Sequence, residues 1–268
     1  TVGIPGCTDS TATNYDANAT INDGSCVAGT GLFTFIPDYN FRAKLHLSYS
    51  VSDWYDTDNG EIVGVVAGKW CLTSDINTVT NLDISSSDIS DLTGIEDFTA
   101  LTELRCYYNQ LTSLDLSANL ALTQLYCFSN QLTSLDLSQN TALTQLYFAN
   151  NQLTSLDVSN NTALTNLYCN NNQLTSLDVS NNTALGGLGC RNNLLTNLDV
   201  SANTVLDTLE CNDNNLTSLD VRNGNNTAFT NFISTSNPNL YCISVDDPVY
   251  SAANWTNIDA QHYFAANC

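Results

Sequence analysis

The chain has 268 residues, of which 27 are acidic and six basic, for a formal net charge of −21. Six cations are too few to neutralise a phosphate backbone or to hold an anionic bilayer surface, which argues against nucleic acid and lipid as partners. No run approaches the ~18 apolar residues that a spanning helix needs, so direct membrane insertion is not expected.

The chain opens at Thr1 and contains no Met. We read it as a mature segment whose targeting signals lie outside it. Residues 1–29 hold GCTDSTATNYDANATINDGSC between two cysteines, with Asp9, Asp16 and Asp23 seven residues apart. Asn14, Asn18 and Asn22 are interleaved with them. Oxygen-rich loops of this kind suit calcium, and these three aspartates are the candidate ligands. No D-x-D-x-D-G run matches an EF-hand, however, so a polar loop closed by a Cys7–Cys26 disulfide is the competing reading. The stretch resembles a small cysteine-bounded, Asp/Asn-rich module of secreted Bacteroidetes proteins. No cofactor beyond that calcium is expected.

Residues 30–78 are expected to form an N-terminal cap. Pro37-Asp38 followed by Phe41, Ala43, Leu45 and Leu47 predicts a short helix with Asp38 as its N-cap. Such a cap would shield the open edge of the first repeat. The DTDNGE run at 56–61 reads as a turn rather than a metal loop, because Gly60 falls where a third ligand is due.

From Val79 a fixed period takes over. After one 22-residue unit, Leu101, Leu122, Leu143, Leu164, Leu185 and Leu206 begin successive units of 21 residues. The last of these units is two residues longer, with Gly224 where an Asn is due. A period of this size predicts a solenoid, in which each unit buries its apolar edge only against its neighbours. Each unit holds one pattern twice, as in LTSLDLSAN (Leu111–Asn119) and LTQLYCFSN (Leu122–Asn130). Each half predicts one extended segment, so two opposed faces would enclose a thin leucine core. Two asparagine columns, Asn109 to Asn214 and Asn119 to Asn203, predict corners where an amide satisfies turn backbone groups.

The register L-x-x-L-x-C-x-x-N-x-L, as in Leu122 to Leu132, resembles the leucine-rich repeat family. The likeness to secreted leucine-rich repeat proteins of Bacteroidetes type covers nearly the whole chain. The expected fold is therefore a β-rich solenoid, a leucine-rich repeat array with parallel β-strands and 21-residue repeats over residues 79–239. A short helical N-terminal cap precedes it. Residues 240–268 resemble the C-terminal cap of such proteins, with Trp255, Tyr263 and Phe264 covering the last repeat and a Cys242–Cys268 disulfide pinning the cap. The resemblance implies a surface-attached or secreted interaction protein.

Ten cysteines divide by position. Cys106, Cys127, Cys169, Cys190 and Cys211 occupy one slot of successive repeats, and Phe148 fills the remaining one. A slot that accepts Phe wants an apolar filler, so buried free thiols are expected. Side chains standing parallel on strands about 4.8 Å apart are also poorly placed to bridge. Cys71 is expected to be buried in the N-terminal cap. The two disulfides favour a secreted or cell-surface location.

The outward positions of the LTQLYCFSN half differ from repeat to repeat. Their central column reads Arg105, Tyr126, Tyr147, Tyr168, Gly189, Glu210, with Tyr107 and Phe128 beside it and Arg191 beyond. Gly186, Gly187 and Gly189 predict a dip next to this aromatic strip. In the other half the equivalent positions are nearly constant Ser/Asp/Ser, as in Ser113, Asp115 and Ser117. Repeats share a scaffold, so variation on one face points to recognition, for which Tyr and Arg are favoured. A tyrosine column can also serve only its own sheet. On the constant face Asp115, Asp136, Asp157, Asp178, Asp199 and Asp220 form a second column, expected about 4.8 Å apart. It is read first as solvated acids, then as a cation track or an ice-ordering lattice.

His46 and His262 lie in opposite caps, and no catalytic motif occurs, so an enzyme is not expected. The expected function is a non-enzymatic, monomeric extracellular binding or adhesion module. It would recognise a protein or carbohydrate through Arg105, Tyr107, Tyr126, Phe128, Tyr147, Tyr168, Arg191 and Glu210. The alternatives are a passive structural or spacer segment of a larger surface adhesin and, third, an ice-binding solenoid.

Overall fold

The computed structural model describes residues 5–6, 21–22, 33–51, 53–55 and 68–268. Cys7 and Cys26, the Asp9/Asp16/Asp23 set and the 56–61 run lie outside the described residues. Two short strands, β1 (Pro5–Gly6) and β2 (Ile21–Asn22), pair in parallel.

In the N-terminal cap, β3 (Phe33–Phe35) pairs antiparallel with β4 (Trp70–Leu72), and α1 (Tyr39–Tyr49) lies between them in sequence. Asp38 caps the helix as expected, its Oδ1 accepting the Phe41 N–H at 3.0 Å. Its Oδ2 accepts the Ser90 and Asp91 N–H groups at 2.9 and 3.2 Å, which ties the helix start to the first repeat. Phe41 stacks on Phe98 with centroids 6.0 Å apart, so α1 closes the end of the solenoid core. Trp54 and Cys71 are fully buried beside it.

The repeats build one parallel sheet of eight strands. In spatial order these are β5 (Asn81–Asp83), β6 (Glu103–Arg105), β7 (Gln124–Tyr126), β8 (Gln145–Tyr147), β9 (Asn166–Tyr168), β10 (Gly187–Gly189), β12 (Thr208–Glu210) and β14 (Asn231–Ile233). Register is one to one, Leu104 on Leu125, Leu125 on Leu146, Leu146 on Leu167, because every unit repeats the same pattern. The middle residue of each strand points inward and its two neighbours outward, as the pleat requires. The ladder thiols Cys106, Cys127, Cys169, Cys190 and Cys211 are buried and free, with Phe148 in their column.

The asparagine columns form both corners. Asn130 Nδ2 donates to the carbonyls of Cys106 and Cys127 at 2.9 and 3.1 Å, and its Oδ1 accepts the Leu111 N–H at 3.1 Å. At the opposite corner Asn140 Nδ2 donates to Leu116 O and Asn119 O, each at 3.0 Å. A single side chain thereby satisfies turn carbonyls of two successive repeats. Where the array carries its two extra residues, Asn223 takes over the ladder, donating to Asn203 O at 3.0 Å, and Gly224 turns the chain at φ 77.

The constant face departs from expectation. Only its C-terminal part forms a ladder, a four-stranded sheet of β11 (Asn197–Asp199), β13 (Ser218–Asp220), β15 (Cys242–Ser244) and β16 (Tyr263–Ala265). Asp199 and Asp220 are therefore paired at strand spacing. The rungs of Asp115, Asp136, Asp157 and Asp178 form no strand. Cavities of about 410 and 280 Å³ open between the rungs of Asp115, Asp136 and Asp157.

In the C-terminal cap α2 (Pro248–Asn254) starts at Asp247, whose Oδ1 accepts the Val249 and Tyr250 N–H groups at 3.0 Å each. Trp255 stacks on Phe232 at 4.2 Å and meets the edge of Phe264 at 5.6 Å, covering the last repeat. Tyr263 does not join them. Strand alternation turns it outward, and it is 58% exposed. The Cys242–Cys268 disulfide is present as expected.

Candidate binding face

The register of the eight-stranded sheet stacks like residues on like. Tyr126 and Tyr147 lie 4.9 Å apart and 14° from parallel, and Tyr147 and Tyr168 lie 5.0 Å apart and 8° from parallel. Strands about 4.8 Å apart leave no other spacing for a column of upright rings. The Arg105 guanidinium closes one end, 5.5 Å from the Tyr126 centroid, and is held there by Glu103 at 2.6 Å. The Tyr126 hydroxyl donates toward Gln124 Oε1 and Gln145 Oε1, at 3.0 and 2.8 Å. Burial raises the phenol pKa of all three tyrosines. The column offers solvent its ring edges and hydroxyls, not its ring faces.

The expected glycine dip is filled. Gly187 and Gly189 are buried, because the Tyr168 ring leans across them. A Cβ on Gly189 would stand 2.6 Å from Tyr168 Cδ1, and one on Gly187 3.1 Å from Tyr168 Oη. The glycines make room for the tyrosine, which ends the stack.

A second aromatic group stands beside the column. Tyr107 stacks on Phe128 at 4.4 Å and 6°. Tyr108 meets both edge-on, at 5.7 and 5.4 Å. Sequence reasoning passed over Tyr108 because it lies one residue beyond the strand pattern. The available signal was a lone Tyr in a column otherwise filled by Ser129, Asn150, Asn171, Asn192 and Asp213.

Arg191 and Glu210 lie past Gly189, apart from the aromatic residues. Arg191 is exposed and forms no ion pair among the described residues. Glu210 Oε1 accepts from Asn231 Nδ2 at 3.1 Å. The candidate set thus divides into an aromatic half on β6 to β9 and a polar half on β10 to β14.

Other chemistry is limited. Each of Asp115, Asp136, Asp157 and Asp178 accepts the N–H of the Ser two residues on at 2.9 Å, and hydrogen bonds from that Ser hold its pKa below the usual range. Among the described residues no group of three or more His, Cys, Asp or Glu is placed to hold a metal ion. Burial pushes the Cys127, Cys169 and Cys211 thiols up to about 12, far from nucleophilic use.

The fold does bring Ser234, His262 and Asp259 together, which their scattered positions did not suggest. Ser234 Oγ lies 3.4 Å from His262 Nδ1, and Asp259 Oδ2 lies 3.4 Å from His262 Nε2. Ser234 is 0% exposed and the His262 side chain likewise, so no substrate reaches the hydroxyl. The Asp259 carboxylate is occupied with the Ser236 and Asn237 N–H groups at 2.8 Å each. The trio braces the cap.

No protein-family model matches the chain. Over 88 residues, 31% of the chain, it is 44% identical to internalin J of Listeria monocytogenes, of which this match spans 10%. A solved structure of the functional domain of InlJ from Listeria monocytogenes, which includes a cysteine ladder, superposes with a TM-score of 0.57 at 33% identity. That match covers 80% of this chain and 52% of the other, so the chain spans about half the length of the solved relative. The leucine-rich repeat ectodomain of the Arabidopsis thaliana receptor kinase GASSHO1/SCHENGEN3, solved with CASPARIAN STRIP INTEGRITY FACTOR 2, gives a TM-score of 0.55. At 20% identity, over 64% of this chain and 22% of that one, it speaks for the fold alone. The chain thus has the leucine-rich repeat solenoid fold and is similar to internalin-like leucine-rich repeat proteins.

Proposed function

We propose that the chain is a non-enzymatic extracellular binding or adhesion module, monomeric, that recognises a protein or glycan through the variable face of its eight-stranded sheet. The observation that carries this reading is a contrast between faces. One face repeats Ser/Asp/Ser in unit after unit, and the other changes and gathers Tyr107, Tyr126, Phe128, Tyr147 and Tyr168 on four neighbouring strands or the turns that follow them. Stability asks the same of every repeat. An aromatic surface limited to one face and one half of the array is suited to a partner. The likeness to internalin J supports a secreted or surface setting.

The test is a binding screen of the chain against immobilised surface proteins and polysaccharides. Replacing Tyr126 and Tyr147 together by Ala is expected to abolish the binding found, with the circular dichroism spectrum unchanged. Undiminished binding would sink the reading. A passive spacer is the second reading, favoured by the way the column spends its ring faces on itself. It expects no ligand in the same screen.

A further inference from the structure

The rings of Tyr126, Tyr147 and Tyr168 are half-buried and cover one another. Tyr108 is different: it is 59% exposed and its backbone sits at φ 53. In that left-handed region Cβ crowds the neighbouring carbonyl, and only Gly, Asn and Asp enter it at low cost. Four matching turns obey the rule with Asn150, Asn171, Asn192 and Asp213, at φ 51–56, and Ser129, at φ 57, departs from it with a much smaller side chain than Tyr. Their side chains also link along the array, Asn171 Nδ2 to Asn150 Oδ1 at 2.8 Å and Asn192 Nδ2 to Asn171 Oδ1 at 2.7 Å. Tyr108 forgoes that ladder and accepts the strained backbone. In return its ring stands edge-on to the stacked Tyr107 and Phe128 in solvent. The fold gains little from such a residue, and strain retained at an exposed aromatic points to use.

We propose that Tyr107, Tyr108 and Phe128 anchor the binding face, and that the occupant is a protein that seats an apolar side chain among them and rims it with Lys or Arg. This rests on the reading that the variable face binds a ligand. Charge selects the rim. The chain carries a net −21. One turn before Tyr108, Asp88 is exposed, and its carboxylate accepts from the neutral Gln110 Nε2 at 3.3 Å and forms no ion pair among the described residues. The Arg105 cation on the adjoining strand is spent on Glu103. A basic rim meets uncompensated acid, which favours both docking and its rate. A neutral sugar gains nothing from this charge, and the Tyr107–Phe128 stack leaves it only one face of each ring.

The test selects random peptides displayed on phage against the whole chain, alongside an array of neutral and anionic oligosaccharides. Enriched peptides are then measured on Tyr108→Asn and on the Tyr126→Ala/Tyr147→Ala double variant. We expect the enriched peptides to pair an aromatic or aliphatic residue with Lys or Arg, to weaken with salt, and to bind Tyr108→Asn at least ~10-fold more weakly. Tyr108→Asn itself is expected to melt at a higher temperature, because Asn accepts the left-handed turn. A lower melting temperature overturns the strain argument. Peptides without basic residues, or peptides that bind Tyr108→Asn undiminished, overturn the proposal; if those same peptides are lost on the double variant, the binding-face reading stands without it. Oligosaccharide binding that Tyr108→Asn abolishes overturns the protein partner and keeps the face. Absence of any enriched peptide or bound oligosaccharide overturns both.

Discussion

The Tyr168 ring lies against the backbone of Gly189, so that a Cβ on Gly189 would stand 2.6 Å from Tyr168 Cδ1 and 3.0 Å from Asn170 Oδ1. Elsewhere in a strand, Gly to Ala gains about 0.5–1 kcal/mol through the unfolded chain. Here overpacking costs about 1–3 kcal/mol, which reverses the sign. Gly189→Ala is therefore expected to destabilise the protein in a urea melt. In a Tyr168→Ala background the same substitution should cost less, since only the approach to Asn170 remains, and an equal loss in both backgrounds would refute the contact.

That contact also marks where reading the sequence stops. The period located what is buried, so the Leu column, the Cys106 to Cys211 ladder, the Asn corners and the Asp38 cap were all legible from composition at fixed spacing. Gly189 shows why the dip was not: sequence gives the volume of a residue, not the direction in which a neighbour leans. Tyr108 was missed because the inward–outward rule covers the strand and not the turn after it. Asp115 and Asp199 sit in near-identical LDLS and LDVS contexts, yet only Asp199 lies on a paired strand. Ladder formation there is set by neighbouring rungs and the C-terminal cap rather than by local pattern. Ser234 directly follows the last repeat strand and meets His262, 28 residues on in the non-repeating cap, where no period helps.

The thiols give a second test. Cys71 and the five ladder cysteines are free and buried, and a buried thiol held protonated does not attack a disulfide reagent. In the native protein none is expected to react with Ellman's reagent. In denaturant without reductant six should react. Two more would show that Cys7 and Cys26 are unbonded, and a count near zero would show the ladder to be paired.

Acid should act through the constant face. Hydrogen bonds from Ser117, Ser138, Ser159 and Ser180 hold Asp115, Asp136, Asp157 and Asp178 below the usual carboxylate pKa. A depressed folded pKa means stabilisation that is complete above the unfolded value of about 3.9 and is lost as pH falls through the folded value. Melting temperature is thus expected to hold down to about pH 4 and to drop below it. Changing all four residues to Asn removes these titrations and should flatten the drop. An acid limb of unchanged steepness in the fourfold variant would count against the column.

The two asparagine corners differ in a way that mutation can read. Asn151 Nδ2 donates to Cys127 O and Phe148 O at 3.1 and 2.9 Å, and its Oδ1 accepts the Leu132 N–H at 3.0 Å. Asn161 Nδ2 donates to Leu137 O and Asn140 O at 3.1 and 2.9 Å, but its buried Oδ1 has no hydrogen-bond partner among the described residues. Asn→Ala leaves the carbonyls at either site with a donor each, since Asn130 and Asn172 still reach Cys127 O and Phe148 O, and the Asn140 and Leu143 N–H groups still reach Leu137 O and Asn140 O. At Asn151 it strands a buried N–H, while at Asn161 it removes an oxygen already desolvated without return. Each stranded buried group costs about 1–3 kcal/mol, so Asn151→Ala should lose more stability than Asn161→Ala by that order. Asn151→Asp should be worse than either, because it replaces the two-carbonyl donor with a charge facing those carbonyls. Equal losses at Asn151 and Asn161 in paired urea melts would refute the weight given to the Leu132 N–H.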